Sequence, residues 1–198
     1  KVMTGELFEI TANKLKVVSL DGHRISIRNV ELNNSYDNIS VIIPGKTLIE
    51  INKILNGGVD DIVKIYFTDK HILFEFESTV VLSRLIEGEY YKIDKMLSSD
   101  YETKITVNKK EMLDSIDRTT LLMKEAEKKP VIIDIKDNSM GLAMNSSIGS
   151  MDEEIDAVKE GKDILIGFNP KFLIDALKVI DDETIHLYLM NPKAPCFI

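Results

Sequence analysis

The sequence predicts an α+β fold built twice, with antiparallel sheets that carry a few helices on one face. Three observations predict it. Lys46-Thr-Leu-Ile-Glu-Ile-Asn-Lys-Ile-Leu55 and Lys171-Phe-Leu-Ile-Asp-Ala-Leu-Lys-Val-Ile180 match as K-x-L-I-acid-x-x-K-aliphatic-aliphatic. Each is followed by a β-rich stretch, Ile62-Val-Lys-Ile-Tyr-Phe67 and Thr184-Ile-His-Leu-Tyr-Leu189. Strand-like segments also come in consecutive runs joined by short turns, which favours antiparallel sheets. Upstream, Lys14-Leu-Lys-Val-Val-Ser19 reads as the counterpart of Gly141-Leu-Ala-Met-Asn-Ser146. One unit of roughly 125 residues therefore occurs about twice, the size of a typical domain.

In the first copy, Leu7–Ile10, Lys14–Ser19, Arg24–Val30 and Ile39–Ile43 read as strands from their apolar alternation. Asp21-Gly22 signals a hairpin turn, because Gly takes positive φ without strain. Tyr36, within Asn33–Asn38, marks a polar loop. Pro44-Gly45 opens a helix to Leu55, and Asn56-Gly57-Gly58 ends it. Strands Ile62–Thr68, His71–Glu77 and Thr79–Ile86 follow, with Asp69-Lys70 as a tight turn. Glu87–Ser98 has no period and reads as a connection, so the expected domains are residues 1–95 and 96–198.

The second copy predicts a strand Thr103–Val107, a helix Lys109–Lys124, and strands Val131–Ile135, Gly141–Ser146, Met151–Ala157 and Asp163–Phe168. A helix Pro170–Ile180 and a strand Thr184–Met190 complete it. Compared with this copy, the first is expected to be short of an opening strand and helix. The second is expected to be short of final strands.

Lys46 and Lys53 stand two helical turns apart and share a face, opposite Leu48, Ile51 and Leu55. Lys171 and Lys178 likewise oppose Leu173, Ala176, Leu177 and Ile180. Surface helices commonly carry charge, but the recurrence in both copies points to a shared role. Glu50 and Asp175 beside the lysines weaken the field, which suits sequence-independent phosphate contact. The net charge of −8 argues against a uniformly basic nucleic-acid binder and leaves room for a local positive surface.

Several features exclude other chemistry. A single cysteine, Cys196, rules out an intrachain disulfide and a Cys-based zinc site, and is expected to be buried. His23, His71 and His186 are not at metal-ligand spacing. Asp152–Glu154 and Asp181–Glu183 lack a calcium-loop pattern and read as solvated turns. Pro44-Gly45-Lys46-Thr47 lacks the earlier Gly of a phosphate loop. No apolar run approaches the about 18 residues of a membrane span. No signal peptide is recognised ahead of the first strand, so a cytoplasmic protein is expected. No cofactor, metal or catalytic residue is predicted. A hydrolase or transferase site near His23, with Asp21 or Glu9 as partner, is the alternative, but duplication and the absence of a nucleophile motif weigh against it.

Met3-Thr-Gly-Glu-Leu-Phe-Glu9, Leu20-Asp-Gly-His-Arg-Ile-Ser26, Ile43-Pro-Gly-Lys-Thr-Leu-Ile-Glu50 and Phe74-Glu-Phe-Glu-Ser-Thr-Val-Val-Leu-Ser-Arg-Leu-Ile-Glu-Gly88 resemble, in order and spacing, the bacterial sliding clamp family, the β subunit of the replicative DNA polymerase III. The resemblance covers essentially the whole chain and implies the DNA-clamp fold. It further implies a non-catalytic processivity factor whose three similar domains form a homodimeric ring around duplex DNA, with helices lining the hole. The chain resembles the second and third domains, and a fragment without the first is not expected to close a ring. Polymerase, clamp loader and repair proteins would dock short peptides in a cleft between those domains. Carried over, that cleft includes Met3, Leu20, Gly22, His23, Arg24, Ile25, Tyr91, Lys95 and Met96. Lys46, Lys53, Lys171 and Lys178 would face DNA on one concave side. Where the family often has Phe-Pro-Asp-Tyr, this chain has Tyr90-Tyr-Lys-Ile93.

Overall fold

The computed structural model describes residues 1–55, 57–58, 62–94, 97, 100–123 and 129–198. The chain divides into two compact units, Lys1–Met96 and Leu97–Ile198.

The first unit begins with a 3-10 turn, Val2–Thr4, and two long strands, β1 (Gly5–Leu20) and β2 (Ile25–Pro44). They pair antiparallel from Gly5↔Pro44 to Leu20↔Ile25. Four shorter strands were expected here. The apolar segments do alternate as expected, but each long strand runs through the interruption with a register shift around Ala12, whose φ is 54°. Tyr36 belongs to β2 opposite Ala12 rather than to a loop. Both faces of Asn33–Asn38 are exposed, and within this stretch the register pairs only Tyr36, with Ala12. Arg24 lies in the loop, not in the strand.

Helix α1 (Gly45–Ile54) follows, then a three-stranded antiparallel sheet of β3 (Lys64–Phe67), β4 (His71–Phe76) and β5 (Thr79–Arg84). Ile51 of α1 is buried with Phe8, Ile43, Ile72, Phe74 and Phe76, and Leu48 and Leu55 pack against that cluster. A second cluster holds Leu7, Val18, Ile42 and Ile93, with Tyr90 and Ile86 against it. The expected connection Glu87–Ser98 therefore contributes to the core, since Ile93 is buried, and just before it Ile86, beyond the end of β5, donates its N–H to Ile42 O at 2.9 Å.

The second unit contains β6 (Thr103–Asn108), α2 (Lys109–Thr120), β7 (Val131–Lys136), β8 (Ser139–Asn145), β9 (Ser150–Gly161), β10 (Ile164–Phe168), α3 (Pro170–Leu177), β11 (Thr184–Leu189) and β12 (Cys196–Phe197). Its strands form one sheet in the order β10-β7-β8-β9-β6-β11-β12. Asn108 and Asn169 cap α2 and α3 by accepting from the Glu111 and Lys171 amides. Both helices end before the periodic pattern does. The final residues donate to carbonyls three back, Met123 to Thr120 and Ile180 to Leu177, so the last turn tightens while side chains keep their spacing. Lys124, the expected end of the first helix, lies outside the described residues.

The duplication has a definite register. Four-residue loops join Leu20 to Ile25 and Asn145 to Ser150. The counterpart of Lys14–Ser19 is thus residues 139–144, two residues earlier than the sequence match placed it. A shift of two keeps each side chain on its face, which is why the match was convincing.

Asp152–Glu154 lies in β9, not in a turn, because it pairs with Gly141–Ala143 of β8, and Glu153 also bridges to α2. Arg118 Nη2 approaches Glu153 Oε2 at 2.5 Å and its Nε approaches Oε1 at 2.6 Å, while Ser115 Oγ donates to Oε2 at 2.8 Å. The Arg118 hydrogen bond holds the Glu153 carboxyl below the usual range against the opposing effect of burial, with help from the Ser115 hydrogen bond and the Arg118 charge. A depressed carboxylate adds stability at neutral pH that disappears as pH falls through its folded-state pKa. Arg118→Ala should lower the melting temperature by roughly a few degrees at neutral pH. The gap to wild type should close on acidification, checked by thermal unfolding across a pH series.

Gly5 sets the contact between β1, β2 and the segment after β5. A Cβ there would lie 2.6 Å from Ile43 O and 2.8 Å from both Ile42 Cγ2 and Ile86 Cδ1. Gly5→Ala should cost about 1–3 kcal/mol through overpacking. Gly141→Ala, whose nearest neighbour would be 3.6 Å away, should cost less, as denaturant titration of both variants can measure.

Candidate functional site

Two exposed features are assembled from the residues singled out in the sequence. The first is the pair of lysines on each of α1 and α3. Burial of Ile51 turns Lys46 and Lys53 to solvent, and burial of Leu173, Ile174 and Leu177 does the same for Lys171. Lys178, at the C-cap of α3, is also exposed. Lys53 pairs with Glu50 at 2.8 Å with both side chains largely in solvent, so the local field on α1 is moderated. Thr47 Oγ1 and Ser83 Oγ, 2.7 Å apart, tie the start of α1 to β5.

The second feature is the β1–β2 hairpin tip of the first unit. Asp21 organises it: its Oδ1 accepts from the His23 and Arg24 amides at 3.1 and 3.2 Å, and its Oδ2 from Arg24 Nε at 2.8 Å. Burial acts to raise the Asp21 pKa, but the Arg24 side chain and the two amides outweigh it and hold the carboxyl low. Gly22 adopts φ 85°, the positive value expected, in a four-residue loop rather than a two-residue primed turn. This follows from the Asp21 carboxylate, which satisfies two loop amides that a shorter turn would not present. Asp21 thus binds the His23 backbone and Arg24, an arrangement that stabilises a loop.

Apolar surface adjoins that loop. Met3 Cε lies 3.8 Å from where a Cβ on Gly22 would sit, and Met3 is 39% exposed. Leu20 is half-buried against the Leu7–Val18–Ile42–Ile93 cluster, beside Tyr90. Its cross-strand partner Ile25 is 37% exposed. Tyr90 Oη donates to Gly5 O at 3.2 Å, and burial pushes its pKa up, with the Leu20 backbone opposing and the Glu6 charge adding. Tyr91, half in solvent, packs edge-on to Tyr90 with ring centres 6.3 Å apart. Met3, Leu20, Gly22, Ile25 and the 23–24 loop are therefore neighbours, and Tyr91 joins them through Tyr90. Lys95 and Met96 lie outside the described residues.

Val2, Ile86 and Ile93 support this patch and were not singled out beforehand. Ile86 lies just beyond β5 and Ile93 in a stretch without period, and their burial depends on contacts distant in sequence. A groove of about 500 Å³ shares only Tyr90 and Tyr91 with the aromatic side of the patch. Lys16, Lys70 and Lys92 line it together with Glu9, Asp69, Glu87, Glu89 and Asp94, so acidic groups outnumber basic ones and the groove is net negative. Among the described residues, no group of three or more His, Cys, Asp or Glu is placed to hold a metal, and no helix is long and apolar enough to cross a membrane. His186 is exposed on β11, where Nδ1 meets Thr106 Oγ1 at 2.9 Å. Cys196 is half-buried rather than fully buried, because β12 is an edge strand. Burial pushes its thiol up to about 12, with a Tyr188 backbone contact opposing.

Two antiparallel α+β units with equivalent lysine-bearing helices place the chain in the DNA-clamp class of folds. The model of the DNA polymerase III beta subunit central domain matches residues 1–92, and that of its C-terminal domain matches residues 94–198. The chain belongs to the DNA polymerase III beta subunit family. It is 34% identical over 196 residues to the Beta sliding clamp of Staphylococcus aureus, a match covering 98% of this chain and 52% of that protein. A structure assigned to a DNA polymerase III beta subunit of Eubacterium rectale shares 66% identity, with a TM-score of 0.98, over 100% of this chain and 54% of that one. The DNA polymerase sliding clamp of Bacillus subtilis shares 33% identity, with a TM-score of 0.94, over 98% and 52%. The chain spans about half the length of the curated relatives it matches.

The hairpin tip yields a direct test. Asp21→Ala should speed hydrogen exchange of the His23 and Arg24 amides at least about tenfold, since each loses its acceptor. Exchange at Leu7 and Val18 should be unchanged, as NMR-detected exchange would show.

Proposed function

We propose that this chain forms part of a non-catalytic DNA polymerase processivity factor, a sliding clamp that surrounds duplex DNA as a homodimeric ring and docks polymerase, clamp loader and repair proteins. It would work in the cytoplasm and need no cofactor. The recurrence of an exposed lysine pair on equivalent helices of two units carries this reading, together with family membership. Sliding requires attraction to phosphate without base readout, and flexible lysines moderated by Glu50 and Asp175 supply weak, screenable attraction. Lys46, Lys53, Lys171 and Lys178 are assigned this contact. In the full-length assembled protein, changing all four to Glu should weaken retention on circular duplex DNA about tenfold or more at low salt, with the difference shrinking as salt rises. Retention equal to wild type at low salt would remove these lysines from the DNA contact.

The hairpin tip is assigned to partner docking. Met3, Leu20 and Ile25 offer apolar contact that methionine can reshape, Tyr91 offers an aromatic edge, and His23 and Arg24 offer donors beside it. Gly22 leaves that surface uncovered. The same reading includes Lys95 and Met96. Ile25→Asp in the full-length protein should weaken a short clamp-binding peptide by about 1–4 kcal/mol while leaving thermal stability nearly unchanged. Titration calorimetry giving equal affinity for variant and wild type would move the docking site elsewhere.

A further inference from the structure

The apolar surface at the hairpin tip is drawn from three separate stretches of chain. Met3 comes from the opening 3-10 turn, Leu20 from the end of β1, and Tyr91 from the segment after β5. Among the described residues, 87–94 make no backbone–backbone hydrogen bond, so side chains must hold that segment in place.

One side chain reaches all three stretches. Tyr90 Oη donates to Gly5 O at 3.2 Å, directly after the turn that carries Met3. The Leu20 backbone hydrogen-bonds the same phenol oxygen. The hairpin ladder makes Leu20 available: Asp21 N–H donates to Arg24 O, and alternation then turns the Leu20 amide away from β2. Gly5 and Leu20 are the first and last residues of β1, and a single hydroxyl joins both. The Tyr90 ring packs against the Leu7, Val18, Ile42 and Ile93 cluster and presents its edge contact to Tyr91.

The other contacts of this segment set its depth rather than its position. Gly88, with φ 138°, runs so close to Val2 that a Cβ would lie 2.9 Å from Val2 Cγ1. Ile93 is buried in the same cluster as Leu7. Apolar burial is non-directional and tolerates sliding, whereas a hydrogen bond fixes distance and angle. The family pattern Phe-Pro has no hydroxyl here and a ring-locked backbone instead. With Tyr90-Tyr91 the backbone lock is absent and the hydroxyl is present, so the restraint passes from main chain to side chain.

We propose that Tyr90 is a positioning residue for partner docking. Its hydroxyl holds the Met3 turn, Leu20 and the Tyr91 segment in one arrangement, which an incoming apolar peptide meets already formed. A surface formed in advance loses less freedom on binding. The proposal rests on the assignment of the hairpin tip to docking.

Tyr90→Phe in the full-length protein removes the hydroxyl and keeps the ring. The short clamp-binding peptide used with Ile25→Asp should bind about threefold or more weaker, and exchange of the Leu20 amide should speed by at least a similar factor. Ile42→Val loosens the same cluster without touching the hydroxyl and should leave peptide affinity at the wild-type value. Met3→Ala should weaken the peptide on its own, and the double variant with Tyr90→Phe should lose less than the product of the two single losses. An Ile42→Val loss as large as that of Tyr90→Phe, or a double variant equal to the product, would reduce Tyr90 to a general stabiliser and overturn the inference. Wild-type affinity in Tyr90→Phe beside a weakened Ile25→Asp would overturn it while the docking site stands. Wild-type affinity in both would remove the docking site and the inference together.

Discussion

The register of β1 against β2 governs the whole first unit. Pairing Leu7 with Ile42 and Phe8 with Val41 sends alternate residues to opposite faces of one ribbon. Phe8 and Ile43 go to the side that receives Ile51 of α1, while Leu7, Val18 and Ile42 go to the side closed by Ile93. A slip of one residue would exchange those faces, expose both clusters and bury Glu9 and Lys16. Gly5 pins one end of the ribbon by permitting close approach of Ile43 O, and the Asp21 loop pins the other. The lysine pair of α1 and the apolar hairpin tip are therefore both consequences of this one pairing: the first through the helix it buries, the second through the loop it ends in.

The second unit reaches an equivalent arrangement with more complete cover. Its helices α2 and α3 share a core with residues from β6, β7, β8, β9, β10 and β11, and among the described residues nineteen of that cluster are buried, against six and four in the first unit's two clusters. The difference does not come from less apolar sequence, since Leu15, Val17 and Ile49 are as apolar as their counterparts. It comes from what is packed on them. The Arg118–Glu153–Ser115 group adds orientation to this core by fixing α2 to β9 at its margin, where apolar packing alone permits small sliding of the helix.

Much of this was legible in the sequence because period and punctuation are local. The helices at Gly45–Ile54 and Pro170–Leu177 followed from apolar spacing and a Pro beside the first turn, and β4 and β5 from alternation bounded by turn residues. The failures were places where distant contacts decide. Tyr36 sits among asparagines that look like a loop, yet β2 runs through them and Tyr36 pairs with Ala12 of β1. Ile93 has no period, yet it closes a cluster built by residues far earlier in the chain. Asp152–Glu154 looked like solvated turn chemistry until Arg118 supplied a partner from α2. For the candidate sites, the lysine faces were readable from helical spacing. The hairpin residues were named from resemblance, and only coordinates bring Met3 beside Gly22 or set Tyr91 against Tyr90.

The charge distribution is compatible with the phosphate-facing role proposed for the lysines. The net charge of −8 on these 198 residues would contribute a repulsion toward duplex DNA that is screened beyond about 8–10 Å at physiological ionic strength. What remains at contact distance is local: two lysines per helix, held outward because the opposite face is buried. Each pair is diluted by an acid on the same helix, so no position holds a phosphate tightly enough to arrest movement. Distributed weak attraction beneath an overall repulsive field lets a body stay near DNA and still travel along it, whereas a uniformly basic surface would bind and stop. Under the proposed role, the acidic balance would limit retention while the lysines promote it, and sliding would depend on neither term dominating.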